Sequence, residues 1–281
     1  MLERLFGSDD VGPIPGDLFG LAAMCENVGL GKRAREIVGV SRRAIEVRLE
    51  ELDSALPHTA SRIGGHPALP DDTSWPLSRD GEPLLFLAQF SCGELSREGY
   101  DGLPDEGILS IFLDTFTSRP REARVFHYSL TRDMTRRAPP NSSTTEKIAY
   151  RPTFDAKVTL PKLGSPDYES LDLDLEEREL YILLLGELDG VGELSPLQMR
   201  GYPLMALEPE AVPPTKDVSW ELFLSIQDME EIFLSWPEEG CALLFIPTLE
   251  TRFRKGRAHI SWQSFDLDED WDDWEDDERW G

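Results

Sequence analysis

Apolar and polar positions divide this chain into strands joined by turns and a few short helices. Between residues 44 and 51, Ile45, Val47 and Leu49 alternate with Glu46, Arg48 and Glu50, which predicts a half-buried antiparallel or edge strand. Residues 84–90 and 108–113 are apolar runs with a single polar residue each, Gln89 and Ser110, the pattern of buried strands, and 123–128 predicts a further short one. The stretches at 156–160, 180–185, 222–226, 243–246 and 259–262 also read as strands. Helices are expected at 17–25, ended by Gly29 and Gly31, and at 32–38. Ser91 and Glu94 have capping-box spacing and open another short helix. Met229, Ile232, Phe233 and Trp236 fall at i, i+3, i+4 and i+7, one apolar helical face that belongs to a core rather than to a cofactor site.

The most informative stretch is 61–114. Gly64-Gly65-His66-Pro67 is turn chemistry, because glycine admits positive φ and proline forces an extended residue before it. Pro70-Asp71-Asp72 and Trp75-Pro76 continue an irregular path that leads into the strand at 84–90. A shorter echo returns near the C-terminus: Gly201-Tyr202-Pro203, a Leu-Phe-Leu strand, an Asp228 cap, Trp236-Pro237-Glu238-Glu239-Gly240 and a strand. From Gly65 to Leu85 is 20 residues, from Gly201 to Leu222 is 21, and each leucine lies 6 before its cap. The shared order and spacing read as an ancient duplication; two ordinary strand–helix–strand units in one α+β fold are the alternative.

SRIGGHPALPDDTSWP, GEPLLFLAQF and LPDEGILSIFLD together resemble the YwqG-like family of bacterial domains of unknown function. The resemblance covers roughly residues 43–265 and is strongest over 61–114. It implies an α+β domain of two related halves, with no established catalytic residues to carry over. It also implies an immunity role for part of the family, since some relatives lie near secreted-toxin genes. The expected fold is thus α+β, mostly antiparallel β with short helices. The expected organisation is an N-terminal helical extension (1–42), the α+β domain (43–265, halves 43–130 and 150–265, linker 131–149) and an acidic tail (266–281).

Charge narrows the function. With 54 acidic against 28 basic residues, the formal charge is -26, so nucleic acid and anionic membrane are poor partners and a basic protein is a good one. The N-terminus has no apolar signal-peptide core and no run reaches the length of a membrane span, so a cytoplasmic location is expected. Cys25, Cys92 and Cys241 form no CxxC pair, and their odd number gives no disulfide framework. The basic cluster Lys32, Arg33, Arg35, Arg42 and Arg43 is the positive patch of the chain, fit for the tail, an external anion or plain solvation. Residues 266–281 hold ten acids and one arginine, yet also Trp271, Trp274 and Trp280. Tryptophan is an interface anchor, which makes the tail a candidate partner-binding element beside the alternative of an inert acidic end.

Candidate chemistry centres on the 61–90 stretch. His66 beside Asp71, Asp72 and Trp75, with Gln89 on the next strand, could line a ligand cleft, and His66 could act as a base. Tyr202 stands at the place of His66 in the echo, as a packing residue does, so no catalytic residue is assigned. Asp266, Asp268 and Asp270 imitate a calcium loop, but Trp271 replaces the required glycine and Asp277 the final glutamate. His58, His66, His127 and His259 are too far apart for a zinc motif, and no phosphate loop or nucleophile elbow occurs. No metal or cofactor is expected. The leading reading is a non-enzymatic protein-binding module, of immunity type in one form, whose acidic surface takes a basic partner. The alternative is a small-molecule-binding or hydrolytic protein using a cleft between the halves. The oligomeric state is left open.

Overall fold

The computed structural model describes residues 16–51, 56–100, 102–116, 118–130, 133–140, 148–189, 195–203, 207, 211–213, 219–232, 234–236, 240–247 and 256–264. The tail with Trp271, Trp274 and Trp280, and Phe233, lie outside the described residues. Among the described residues two helices come first, α1 (Gly16–Asn27) and α2 (Ala34–Val40). Then follow β1 (Arg42–Glu50), β2 (Arg62–Gly64), β3 (Ala68–Pro70), β4 (Leu85–Ser91), α3 (Cys92–Arg97), β5 (Ile108–Leu113) and β6 (Ala123–Tyr128). After β7 (Met134–Arg136) come β8 (Ala149–Thr159), α4 (Pro166–Glu169), α5 (Leu175–Asp189), β9 (Leu197–Arg200), β10 (Trp220–Ile226), β11 (Gly240–Pro247) and β12 (His259–Ser264). The architecture is mostly antiparallel β with a few short helices.

Ten strands form one sheet in the order β12-β11-β10-β9-β1-β8-β2-β4-β5-β6. The two outer strands approach each other: Val125 N–H donates to the Gly256 carbonyl, and Arg124 bridges to Arg257. The sheet is therefore nearly closed on itself. Closure hides strand edges, which an open sheet this wide would leave ready to pair with other chains. Its order also reads alike from both ends, with β1, β9, β10, β11, β12 on one side answered by β8, β2, β4, β5, β6 on the other. β4 and β10 each carry a register shift, between Phe86 and Ala88 and between Leu222 and Leu224.

The main core fills the enclosure. Ile45 and Val47 of β1, Leu109 and Ile111 of β5, Leu197 and Met199 of β9 and Leu244 and Ile246 of β11 belong to one buried cluster. Leu95 and Tyr100, following β4, join it, as do Met229, Ile232, Leu234 and Trp236, following β10. Since β4 and β10 run in opposite directions, these two segments close opposite ends. Smaller clusters cover other faces: Leu69, Trp75, Phe86 and Phe112 in one, Ala211, Cys241, Leu243 and Phe245 in another. The helices pack together through Leu21, Cys25, Ile37, Tyr168, Tyr181 and Leu184 against Val158 and Leu160.

Four local expectations need correction. Residues 180–185 are helical, within α5, not a strand. Asp174 and Glu177 make a reciprocal capping box there, each backbone N–H donating to the other's carboxylate at 3.2 and 2.9 Å. Residues 229–236 do not form an α-helix: Glu230–Ile232 is one 3-10 turn, and Met229 N–H and Leu234 N–H are each bonded to the other's carbonyl. Met229, Ile232 and Trp236 are buried nonetheless, because a tight turn can bury the same side chains. Ser91 precedes α3 as expected, but its side chain makes no cap bond; its backbone N–H instead donates to Ser61 Oγ at 2.8 Å. Within 131–149, read as a linker, Met134–Arg136 forms β7 against β3, because the polar stretch satisfies the backbone of the 68–70 segment.

Candidate functional site

The residues singled out around the 61–90 loop are engaged by different parts of the fold. Trp75 is buried, its indole N–H donates to the Leu84 carbonyl at 2.9 Å, and its ring meets Phe112 edge-on at 5.6 Å. Asp71 is exposed and accepts from the Thr135 hydroxyl at 2.8 Å, which ties the loop to β7. Asp72 is exposed and His66 half-buried. Gln89 is completely buried. Its amide nitrogen donates to the carbonyls of His58 and Ala60, each at 2.8 Å, while its oxygen accepts from Ala68 N–H at 2.9 Å. Asp71, Trp75 and Gln89 thus share no structural partner among these contacts.

Arg62 shares this clamp. It is buried, and its guanidinium donates to the carbonyls of Pro57 and His58. Burial, with the charge of Arg136 added, pulls it down to about 10 from the usual 12.5. Held by these carbonyls, and by no carboxylate among the described residues, the guanidinium serves as a loop anchor: it fixes backbone rather than presenting charge to solvent.

A concavity lies between β1 and the β9–β10 pair. A half-open groove of about 590 Å³ is lined by Arg42, Arg43, Arg200, Gly201, Trp220, Glu221 and Leu222. β1 and β9 bring the arginines together, since Ala44 stands opposite Arg200 in the ladder. Arg200 has φ 57 and Gly201 φ 69, two successive left-handed residues that turn the chain out of the sheet. Such a conformation costs a non-glycine residue about 1–2 kcal/mol. A Cβ on Gly201 would stand 2.7 Å from the Ala44 Cβ, so the turn needs glycine for space as well.

Two of the arginines are neutralised locally. Arg42 pairs with Asp167 at 2.7 Å and lies over the Tyr202 ring at 4.2 Å. Tyr202 is itself buried, with its hydroxyl 2.6 Å from Asp167 Oδ2, and burial together with that carboxylate raises its phenol above the ordinary range. Arg200 pairs with Glu221 at 3.0 Å and sits over Tyr100 at 4.8 Å. Arg43 is exposed and has no ion pair among the described residues. Trp220 sits beneath the Arg257 guanidinium at 5.3 Å and beside the His259 ring at 6.0 Å, and burial lowers the His259 pKa.

Sequence reasoning noticed Arg42 and Arg43 as a basic patch but had no signal joining them to Arg200 and Trp220. Only the pairing of β1 with β9 does that. All three cysteines are buried and free; burial pushes Cys25 up to about 11 and Cys92 and Cys241 up to about 12, which makes them poor nucleophiles. Among the described residues no group of acidic, histidine and cysteine side chains is arranged to hold a metal ion, and no helix is long and apolar enough to cross a membrane. Comparison with curated proteins finds no match. The model of a family described as a domain of unknown function, DUF1963, matches residues 61–255, more than half of the chain, and the protein belongs to that family.

Proposed function

We propose that the chain is a cytoplasmic, non-enzymatic protein-binding module that takes a basic partner on the exposed face of α5. The observation that carries this reading is apolar surface where a helix ordinarily shows polar side chains. Leu175, Ile182 and Leu183 are 78, 50 and 59% exposed, while Tyr181 and Leu184 of the same helix are buried. Glu176, Glu179 and Glu187 are exposed around them. An apolar centre with a carboxylate rim suits a partner with apolar anchors and lysine or arginine at its edge. The formal charge of -26 would speed encounter with such a protein. An immunity-type role is one form of this function, and the tryptophans Trp271, Trp274 and Trp280 are proposed as a second contact.

The test is salt-dependent co-purification from the native cell extract, comparing wild type with the double variant Ile182→Ser, Leu183→Ser. Both positions are exposed, so the fold should keep its stability to within about 0.5 kcal/mol. A basic protein retained at low salt by wild type and lost with the variant supports the reading. No retained protein, or equal retention, refutes it. Ending the chain at Phe265 asks the same of the tail.

A second reading, favoured by the groove between β1 and β9–β10, is that the protein binds a small molecule there. A volume of about 590 Å³ suits a compact ligand. The groove is lined from both sequence halves, in keeping with a cleft between them, though it does not include His66. We also read the mirrored strand order and paired register shifts as the trace of an internal duplication, and the 61–114 stretch as placing the chain in the YwqG-like branch.

A further inference from the structure

We propose that the groove between β1 and β9–β10 is a site for a small monocarboxylate with a flat apolar body. This inference rests on the small-molecule reading of that groove. Its charge arrangement selects the ligand. Arg42 is committed to Asp167 and Arg200 to Glu221, so their charges are balanced inside the protein. Arg43 contributes one further positive charge, without an ion pair among the described residues.

Geometry places that charge well. Arg43 shares its strand face with Ile45 and Val47, and its guanidinium lies against Gly99, past the C-terminal end of α3. A planar guanidinium matches a carboxylate with two parallel N–H bonds, which a point charge cannot do. Trp220 and Leu222 line the same groove and supply apolar wall for a ring or short chain. Glu221 also lines it, so a di- or triphosphate would bring several negative charges beside a carboxylate. One negative charge and an apolar body fit; a polyanion does not. The left-handed Arg200–Gly201 turn holds the opposite wall, and backbone strain of this kind gathers at ligand clamps.

The experiment uses the full-length protein, labelled with nitrogen-15, and the indole N–H signal of Trp220 identified with Trp220→Phe. 3-Phenylpropionate and its neutral amide are titrated separately into the millimolar range. The acid should shift the Trp220 signal saturably and bind at least about tenfold more tightly than the amide. Arg43→Gln should reduce the acid to the affinity of the amide while leaving amide binding unchanged, which also shows that the variant is folded. Arg43→Lys should recover only part of the difference, since the bidentate fork is lost. Equal binding of acid and amide to wild type, or discrimination surviving in Arg43→Gln, would overturn the monocarboxylate inference and leave the groove a neutral-ligand site. If neither compound shifts Trp220, the small-molecule reading itself is refuted, and the inference with it.

Discussion

Replacing Gln89 by leucine separates a structural role for the 61–90 loop from a ligand-binding one. The side chain is completely buried and makes three hydrogen bonds, two donated to His58 and Ala60 and one accepted from Ala68. Leucine has similar bulk, so little cavity is created and the cost falls on the groups left behind. His58 keeps the Arg62 guanidinium at 3.3 Å, but this bond to the Ala60 carbonyl and the one from the buried Ala68 N–H are lost. A buried polar group without a partner costs roughly 1–3 kcal/mol, so two give a loss of about 2–6 kcal/mol. Urea unfolding followed by tryptophan fluorescence measures it directly. Gln89→Glu sharpens the test. Two carbonyls would face a carboxylate oxygen, so the folded state would hold the acid protonated, with a pKa raised above the ordinary value of about 4.3. A raised folded pKa gives stability that is present at low pH and lost as pH rises through it. The deficit of Gln89→Glu relative to wild type should therefore grow between about pH 5 and about pH 8. A Gln89→Leu protein within about 0.5 kcal/mol of wild type would refute the clamp.

Other consequences are simpler to read. Thiol titration should find Cys25, Cys92 and Cys241 unreactive in the native protein and all three reactive once it is denatured, because burial both hides them and holds them protonated. Gly107→Ala should cost about 3 kcal/mol or more in thermal or urea unfolding, since Gly107 has φ 120 and a Cβ there would stand 2.7 Å from the Tyr128 carbonyl and run into the His127 ring. His259 has a folded pKa below its ordinary 6.5 because burial disfavours the imidazolium. The unfolded chain then binds the proton first, so this contribution is complete above about pH 6.5 and is lost as pH falls toward the folded pKa. His259→Leu should consequently show a shallower loss of stability than wild type over that interval.

The longer strands β4, β5, β10 and β11 were legible because apolar runs such as 108–113 admit few other placements, whereas the short β2, β3, β7 and β9 carry no such run. Helix α5 was not, because Tyr181 to Leu185 looks like a strand in a short window; the Asp174–Glu177 capping box was the local signal that decides it. Sheet closure was hidden for a different reason. β1 pairs with β8 and β9, about a hundred or more residues away, and no local pattern reports such a contact. The same long-range pairing builds the groove, so Arg43 could be seen as basic but not as the neighbour of Arg200 and Trp220. Gln89 carried a readable clue, since one amide within an apolar run must be bonded wherever it is buried. Its partners, supplied by the loop at 58–68, were not readable.

The measurement that bears most directly on the proposed function is hydrogen exchange of the full-length chain, alone and bound to the basic protein it retains at low salt. Binding on α5 predicts slower exchange concentrated at residues 175–189, with the loop at 65–84 unchanged. Protection centred on that loop, or none along α5, would contradict the account and move the functional surface to another part of the fold.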